Sequence, residues 1–195
     1  MLIFSAKRLE QDMWNVCFKA CIDSLTKRSK AGNAECDAAI LSMFLSAALG
    51  TFSQMLTQMC VIYRFTPLGF RSQGSLGILS NLCSPTKKAD EKNLSYMAQF
   101  FLIHLGDISR YQKQIAIAES YYLHASSVLQ TNGHPFNQLA ILETIRGNRL
   151  SATYFYNRAL YVTTPFVLAA MNLEQIYRMT LEPLQKITGE VRIML

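Results

Sequence analysis

Two stretches of the chain repeat each other at a spacing of 34 residues, and that period limits the fold more than any other feature of the sequence. Leu105-Gly106, Ala118, Tyr122 and Ala125 are matched by Leu139-Ala140, Ala152, Tyr156 and Ala159. This is the tetratricopeptide period, with small residues where paired helices approach and aromatics filling the gap beside them. The tryptophan and the terminal proline of the standard repeat are absent or shifted, so the repeats are divergent. Stacked helical hairpins over 94–164 are predicted, an architecture that presents binding surfaces and names no reaction.

The remaining periodicity is also helical. Trp14, Phe18, Cys21 and Leu25 recur at four, three and four, which predicts a helix from near Leu9 to Lys27 with those residues as its buried stripe. Asn15, Lys19 and Asp23 fall on a neighbouring face. "RSKAGNAE" reads as a loop, and a charge-free helix follows from Ala38 to Tyr63. That helix is long enough to span a bilayer. Its small and polar residues (Ser42, Ser46, Gly50, Ser53, Thr57) collect on one face, however, so a helix buried or covered by a partner is expected, and no membrane.

The segment 66–92 gathers glycine, serine and two prolines without a period and is expected to be a long connection. Helices are then predicted over Leu94–Lys113, Ile115–Gln130, Pro135–Arg146, Leu150–Val162 and Phe166–Leu184, separated at "TNGHP", "GN" and "TTP". Pro135 suits a first helical turn, where its missing N–H costs nothing. The expectation is a single all-α domain over 1–184, followed by a tail over 185–195.

Composition narrows the chemistry. Lysine and arginine exceed aspartate and glutamate by six, which favours an acidic partner. Five cysteines, odd in number and without a C-x-x-C, suggest neither a disulfide framework nor a zinc ribbon and fit a reducing compartment. "MLIFSAKRLEQ" lacks the long apolar run and cleavage site of a signal peptide. No phosphate-binding glycine loop, HExxH or G-x-S-x-G occurs, and His104, His124 and His134 lack metal-ligand spacing. No enzyme activity, metal or cofactor is expected.

"HLGDISRYQ" raises the question of Arg110 and Tyr111. Arginine can hold two phosphate oxygens and tyrosine can donate from its phenol. The spacing alone allows a plainer role, because Arg110 follows Asp107 by three residues and Lys19 precedes Asp23 by four, the pattern of surface helix pairs. Asn137 could orient a peptide backbone or cap a helix. The face around Gly50 could pack within the chain or against a partner.

"DMWNVCFKACIDSL", "LGILSN", "FLIHLGDISRYQ", "AESYYLHASSVLQTNGHPFNQLAIL" and "FYNRALYVTTPFVLAAMNL" together resemble the 14-3-3-like N-terminal domain of the SMG and Est (ever shorter telomeres) family, over about Leu9 to Leu173. The resemblance implies a 14-3-3-like helical array and a phosphoserine-binding adaptor of nonsense-mediated mRNA decay. It implies recognition of phosphorylated Upf helicase and pairing with a related SMG protein. The "GD-x-x-RY" motif carries the phosphate contacts to Arg110 and Tyr111, and the lysine after "WNxxF" carries them to Lys19. Gly50 becomes the expected dimer contact. The telomerase-associated branch implies the alternative of an RNA- or telomeric-DNA-binding module. A cytoplasmic protein able to shuttle to the nucleus is expected. The family has more helix before its "WN" motif and a long region after the domain, so a shortened form is expected here.

Overall fold

In the computed structural model the described residues are 10–31, 34–67 and 90–193, all in helices, turns and short connections. The first helix, α1, covers residues 10–31 and opens with a π-helical segment, Met13–Lys19, that runs into Ala20–Ala31. It is followed by α2 (Ala34–Ile62), α3 (Glu91–Tyr111), α4 (Ile115–Val128), α5 (His134–Ile145), α6 (Arg149–Leu160) and α7 (Ala169–Ile193). Most of the expected connection, 68–89, lies outside the described residues. Of the expected "RSKAGNAE" loop, 28–31 and 34–35 are helical, and 32–33 lie outside the described residues. Helix α7 also continues past Leu184, through most of the expected tail.

The π segment corrects the first predicted stripe. A π turn holds more residues than an α turn and rotates the following face. Trp14 is buried as expected and Phe18 packs against the same core, but Ile22, at 0% exposure, takes the inward position expected of Cys21. Cys21 is exposed instead.

Two apolar clusters organise the chain. The first joins α1, α2 and α3 around Phe52, Leu102 and Ile108, with an aromatic run in which Trp14 meets Phe52 edge-on at 5.8 Å and Phe52 meets Phe101 at 6.2 Å. Helix α2 is long and apolar enough to cross a membrane by length and composition. Its stripe of Leu45, Ala48, Phe52, Leu56 and Met59 is here one wall of this core, while Ser42, Ser46, Gly50 and Thr57 face away.

The second cluster joins α4 to α7. All ten repeat positions are buried, and the pairs α3 with α4 and α5 with α6 form the two hairpins that the period predicts. Gly106 shows why one slot is small, because a Cβ there would stand 2.4 Å from Cε1 of Tyr122.

The breaks between helices pair with each other. Thr164 N–H donates to the Thr131 carbonyl at 2.8 Å and Gly133 N–H donates to the Thr164 carbonyl at 2.9 Å, so "TNGHP" and "TTP" form a short parallel bridge. Gly133 is required by that approach, since a Cβ would lie 2.1 Å from the Ala159 carbonyl oxygen. Gln99 closes the end of α4, donating to the carbonyls of Ala125 (2.7 Å) and Leu129 (2.8 Å) in the stretch where helical donors run out. The bridge brings Phe166 flat against His134, with ring centroids 4.7 Å apart.

Candidate functional site

A cavity of about 490 Å³ opens where α1, α3, α5 and the α6–α7 connection meet. Lys19, Arg110 and Tyr111 all line it, together with Trp14, Asn15, His104, Asp107, His134 and Gln138. Residues 91 positions apart in sequence therefore share one wall, and the aromatic core sets their distance. Trp14 stacks on His104 with ring centroids 3.9 Å apart, which ties the helix carrying Lys19 to the helix carrying Arg110.

Arg110 sits at the end of a buried network. Asp107, 4% exposed, accepts on Oδ1 from the Tyr122 hydroxyl at 2.8 Å and from Arg110 Nη2 at 3.3 Å, and on Oδ2 from His104 Nδ1 at 3.1 Å. Arg110 Nε also points at the Tyr122 oxygen, 3.4 Å away. Burial alone would raise the Asp107 pKa, but the bond from His104 and the Arg110 charge hold it below the ordinary carboxylate range. Burial likewise opposes the charged guanidinium, and Tyr122 and Asp107 outweigh it, so Arg110 keeps its charge. The pair is thus partly buried, with its carboxylate inside and its guanidinium half-buried, and not the solvated surface pair that the spacing also allowed.

Lys19 differs. It is partly exposed and ion-paired with the partly exposed Asp23, the i to i+4 contact that its spacing allowed. Tyr111 bridges the two cations with its ring, which lies 4.8 Å from the Arg110 guanidinium carbon and 5.9 Å from Lys19 Nζ. One partly exposed lysine and one braced arginine on the same cavity give a site that can take an anion from both sides.

Asn137 is not brought to the cavity wall. It is 3% exposed, and its Oδ1 accepts from Asn172 Nδ2 at 3.1 Å, which fastens α5 to α7. It is not the cap of α5, since Gly133 occupies that position. The next residue, Gln138, lines the cavity instead. Gly50 is remote from the cavity and open: a Cβ there would meet nothing within 4 Å among the described residues. Among the described residues, packing within the chain therefore does not account for the glycine at position 50.

Sequence reading missed His104, Asp107, Tyr122 and Gln138 as parts of the site. Tyr122 carried a usable signal, because a buried tyrosine needs a partner for its hydroxyl and Asp107 was the nearest acidic residue on the preceding repeat helix. Among the described residues, no group of three or more histidine, cysteine, aspartate or glutamate side chains is placed to hold a metal ion.

The helical array with a two-cation cavity defines a class, the 14-3-3-like domains built on tetratricopeptide-like hairpins. The chain belongs to the SMG/Est family of such domains. A model of the Est1 DNA/RNA binding domain matches residues 118–187. Nonsense-mediated mRNA decay factor SMG7 of Danio rerio is 40% identical over 183 residues, which is 90% of this chain and 15% of that protein. Telomerase-binding protein EST1A of the same organism is 26% identical over 181 residues, 88% of this chain and 11% of that one. The chain thus spans less than a fifth of either relative. The structure of the C. elegans SMG5-SMG7 complex superposes with a TM-score of 0.74 at 22% identity, covering 89% of this chain and 43% of that chain. That likeness concerns the fold.

Proposed function

We propose that the chain is a phosphoserine-binding adaptor domain of nonsense-mediated mRNA decay, reading phosphorylated segments of the Upf helicase and pairing with a related SMG protein. The single observation that supports it is the convergence of Lys19, Arg110 and Tyr111 on one cavity. A phosphoserine carries a charge of about −1.5 to −2 and three acceptor oxygens. Arg110, held by Asp107 and Tyr122 through Nε and Nη2, keeps its remaining edge for the phosphate. Lys19 exchanges Asp23 for the ligand at little cost, because an exposed pair contributes at most about 1 kcal/mol.

Each charge-assisted bond contributes roughly 1.5 to 3 kcal/mol, so one phosphosite supports about micromolar binding after ordering costs. Several phosphosites raise that by avidity. The open Gly50 face of α2 supports the pairing, since small residues let a partner helix come close. A cytoplasmic protein that can shuttle to the nucleus is part of the same proposal.

The matched Est1 DNA/RNA binding domain model favours a second reading, a nucleic-acid-binding module. Fluorescence anisotropy separates the two. A labelled phosphoserine-glutamine peptide should bind the wild-type chain, its unphosphorylated twin should not, and Lys19→Glu with Arg110→Glu should remove the difference. Equal binding of both peptides, or RNA binding that falls steeply with salt while neither peptide binds, would overturn the adaptor reading.

A further inference from the structure

Each of the two cations of the cavity already faces a carboxylate, and the two carboxylates are held in opposite ways. Asp107 is buried and accepts from Tyr122 and His104 as well as from Arg110, so it is fixed in place. The Asp23 side chain is 47% exposed and accepts with both oxygens from one donor, Lys19 Nζ. A carboxylate so placed turns to water when its partner is taken, and that is what makes it exchangeable.

The pair sits where α1 changes its winding. Lys19 ends the π segment and Asp23 lies one α turn further on, which sets the two on one face. Lys19 lines the cavity and Asp23 does not, so the carboxylate reaches the site only through the lysine. Burial opposes the lysine's charge, and the bonds with Asp23 and Tyr111 outweigh it, so Lys19 is held above its ordinary pKa. A ligand carboxylate would exchange like for like at this ammonium. A phosphate, with a charge of about −1.5 to −2 and three acceptor oxygens, does not.

We propose that Asp23 is a resident competitor for Lys19: it occupies the ammonium while the cavity is empty, gives way to a phosphate, and so sets the affinity of the site from outside it. This is regulation of the same site and rests on the phosphopeptide reading above. Asp23 is a positioning residue, since it acts on the ligand only through Lys19. Its effect is bounded by the strength of an exposed pair, about fivefold in affinity at most. It shrinks as salt screens that pair.

The test is calorimetric titration of a phosphoserine-glutamine peptide and its unphosphorylated twin into wild type, Asp23→Asn, Asp23→Glu, Lys19→Met and the Lys19→Met, Asp23→Asn double variant. Glu174→Gln is the control, because it removes one charge from an exposed pair of the same spacing, with Arg178, away from the cavity wall. At about 0.05 M salt Asp23→Asn should bind the phosphopeptide about three- to fivefold more tightly than wild type, and at about 0.5 M the two should agree within about twofold. Asp23→Glu, which keeps the charge, and Glu174→Gln should both match wild type. On the Lys19→Met background Asp23→Asn should change affinity by less than about twofold.

A merely structural Asp23 would weaken phosphopeptide binding when lost, or leave it unchanged, and either result overturns the competitor while the phosphopeptide reading stands. A gain of the same size on both backgrounds, or with Glu174→Gln, overturns it too, because the charge then acts through the general field and not through Lys19. If wild type binds both peptides alike and Asp23→Asn alone separates them, the competitor stands and the adaptor reading fails for the unaltered chain. If no variant prefers the phosphopeptide, both are overturned.

Discussion

The hydroxyl of Tyr122 donates to the buried carboxylate of Asp107 across 2.8 Å, joining α4 to the network that holds Arg110 on the cavity wall. Tyr122 is thereby a core residue by its ring and a brace for Arg110 by its oxygen. Tyr122→Phe keeps the ring and removes one of three donors to a buried carboxylate, so it should lower stability by about 1 to 3 kcal/mol in urea unfolding. It should also weaken phosphopeptide binding several-fold in anisotropy, since Arg110 Nε loses a partner. Unchanged stability would show that the hydroxyl does not hold Asp107.

Two helical glycines should respond to the same substitution with opposite signs. At Gly106 a methyl group meets the Tyr122 ring at 2.4 Å, and overpacking should destabilise Gly106→Ala by about 1 to 3 kcal/mol or more. At Gly50 the methyl enters open space on a helix, so Gly50→Ala should stabilise by about 0.5 to 1 kcal/mol. Denaturant midpoints of the two variants check both signs.

A larger group on that open face tests the proposed interface. Gly50→Glu should leave the circular dichroism spectrum and melting temperature of the isolated chain nearly unchanged, and should abolish capture of an SMG-family partner in a pull-down. Retained capture would remove the α2 face from the interface.

His134 makes the fold sensitive to acid. Its pKa falls from an ordinary 6.5 to about 4 in the folded state because burial disfavours the cation. Between those values the unfolded chain binds the proton and the folded chain does not, so stability is full above about pH 6.5 and is lost as pH drops toward 4, at up to about 1.4 kcal/mol per unit. The depressed Asp107 adds a further loss at still lower pH, when its carboxylate protonates. Melting temperatures from pH 7.5 to 4.5 should fall for wild type and fall less for His134→Gln.

Both hairpins, their small and aromatic contacts, and the helical class of the described residues were determined by sequence alone. A repeat of 34 residues with Ala118, Tyr122, Ala125 and their counterparts is local information, because each helix writes its own buried stripe at its own period. Lys19, Arg110 and Tyr111 were legible as chemistry through a motif, and the open or closed state of the Gly50 face was not. Tertiary structure decided everything that depends on elements meeting. It turned Ile22 inward in place of Cys21 through a π segment, and it paired "TNGHP" with "TTP" so that Phe166 reached His134. It buried Asp107 so that Arg110 became a half-buried, braced cation, and it set Gln138, not Asn137, on the cavity wall. Spacing along one helix fixes which residues share a face; only packing against other helices fixes whether that face meets water, a neighbour or a ligand.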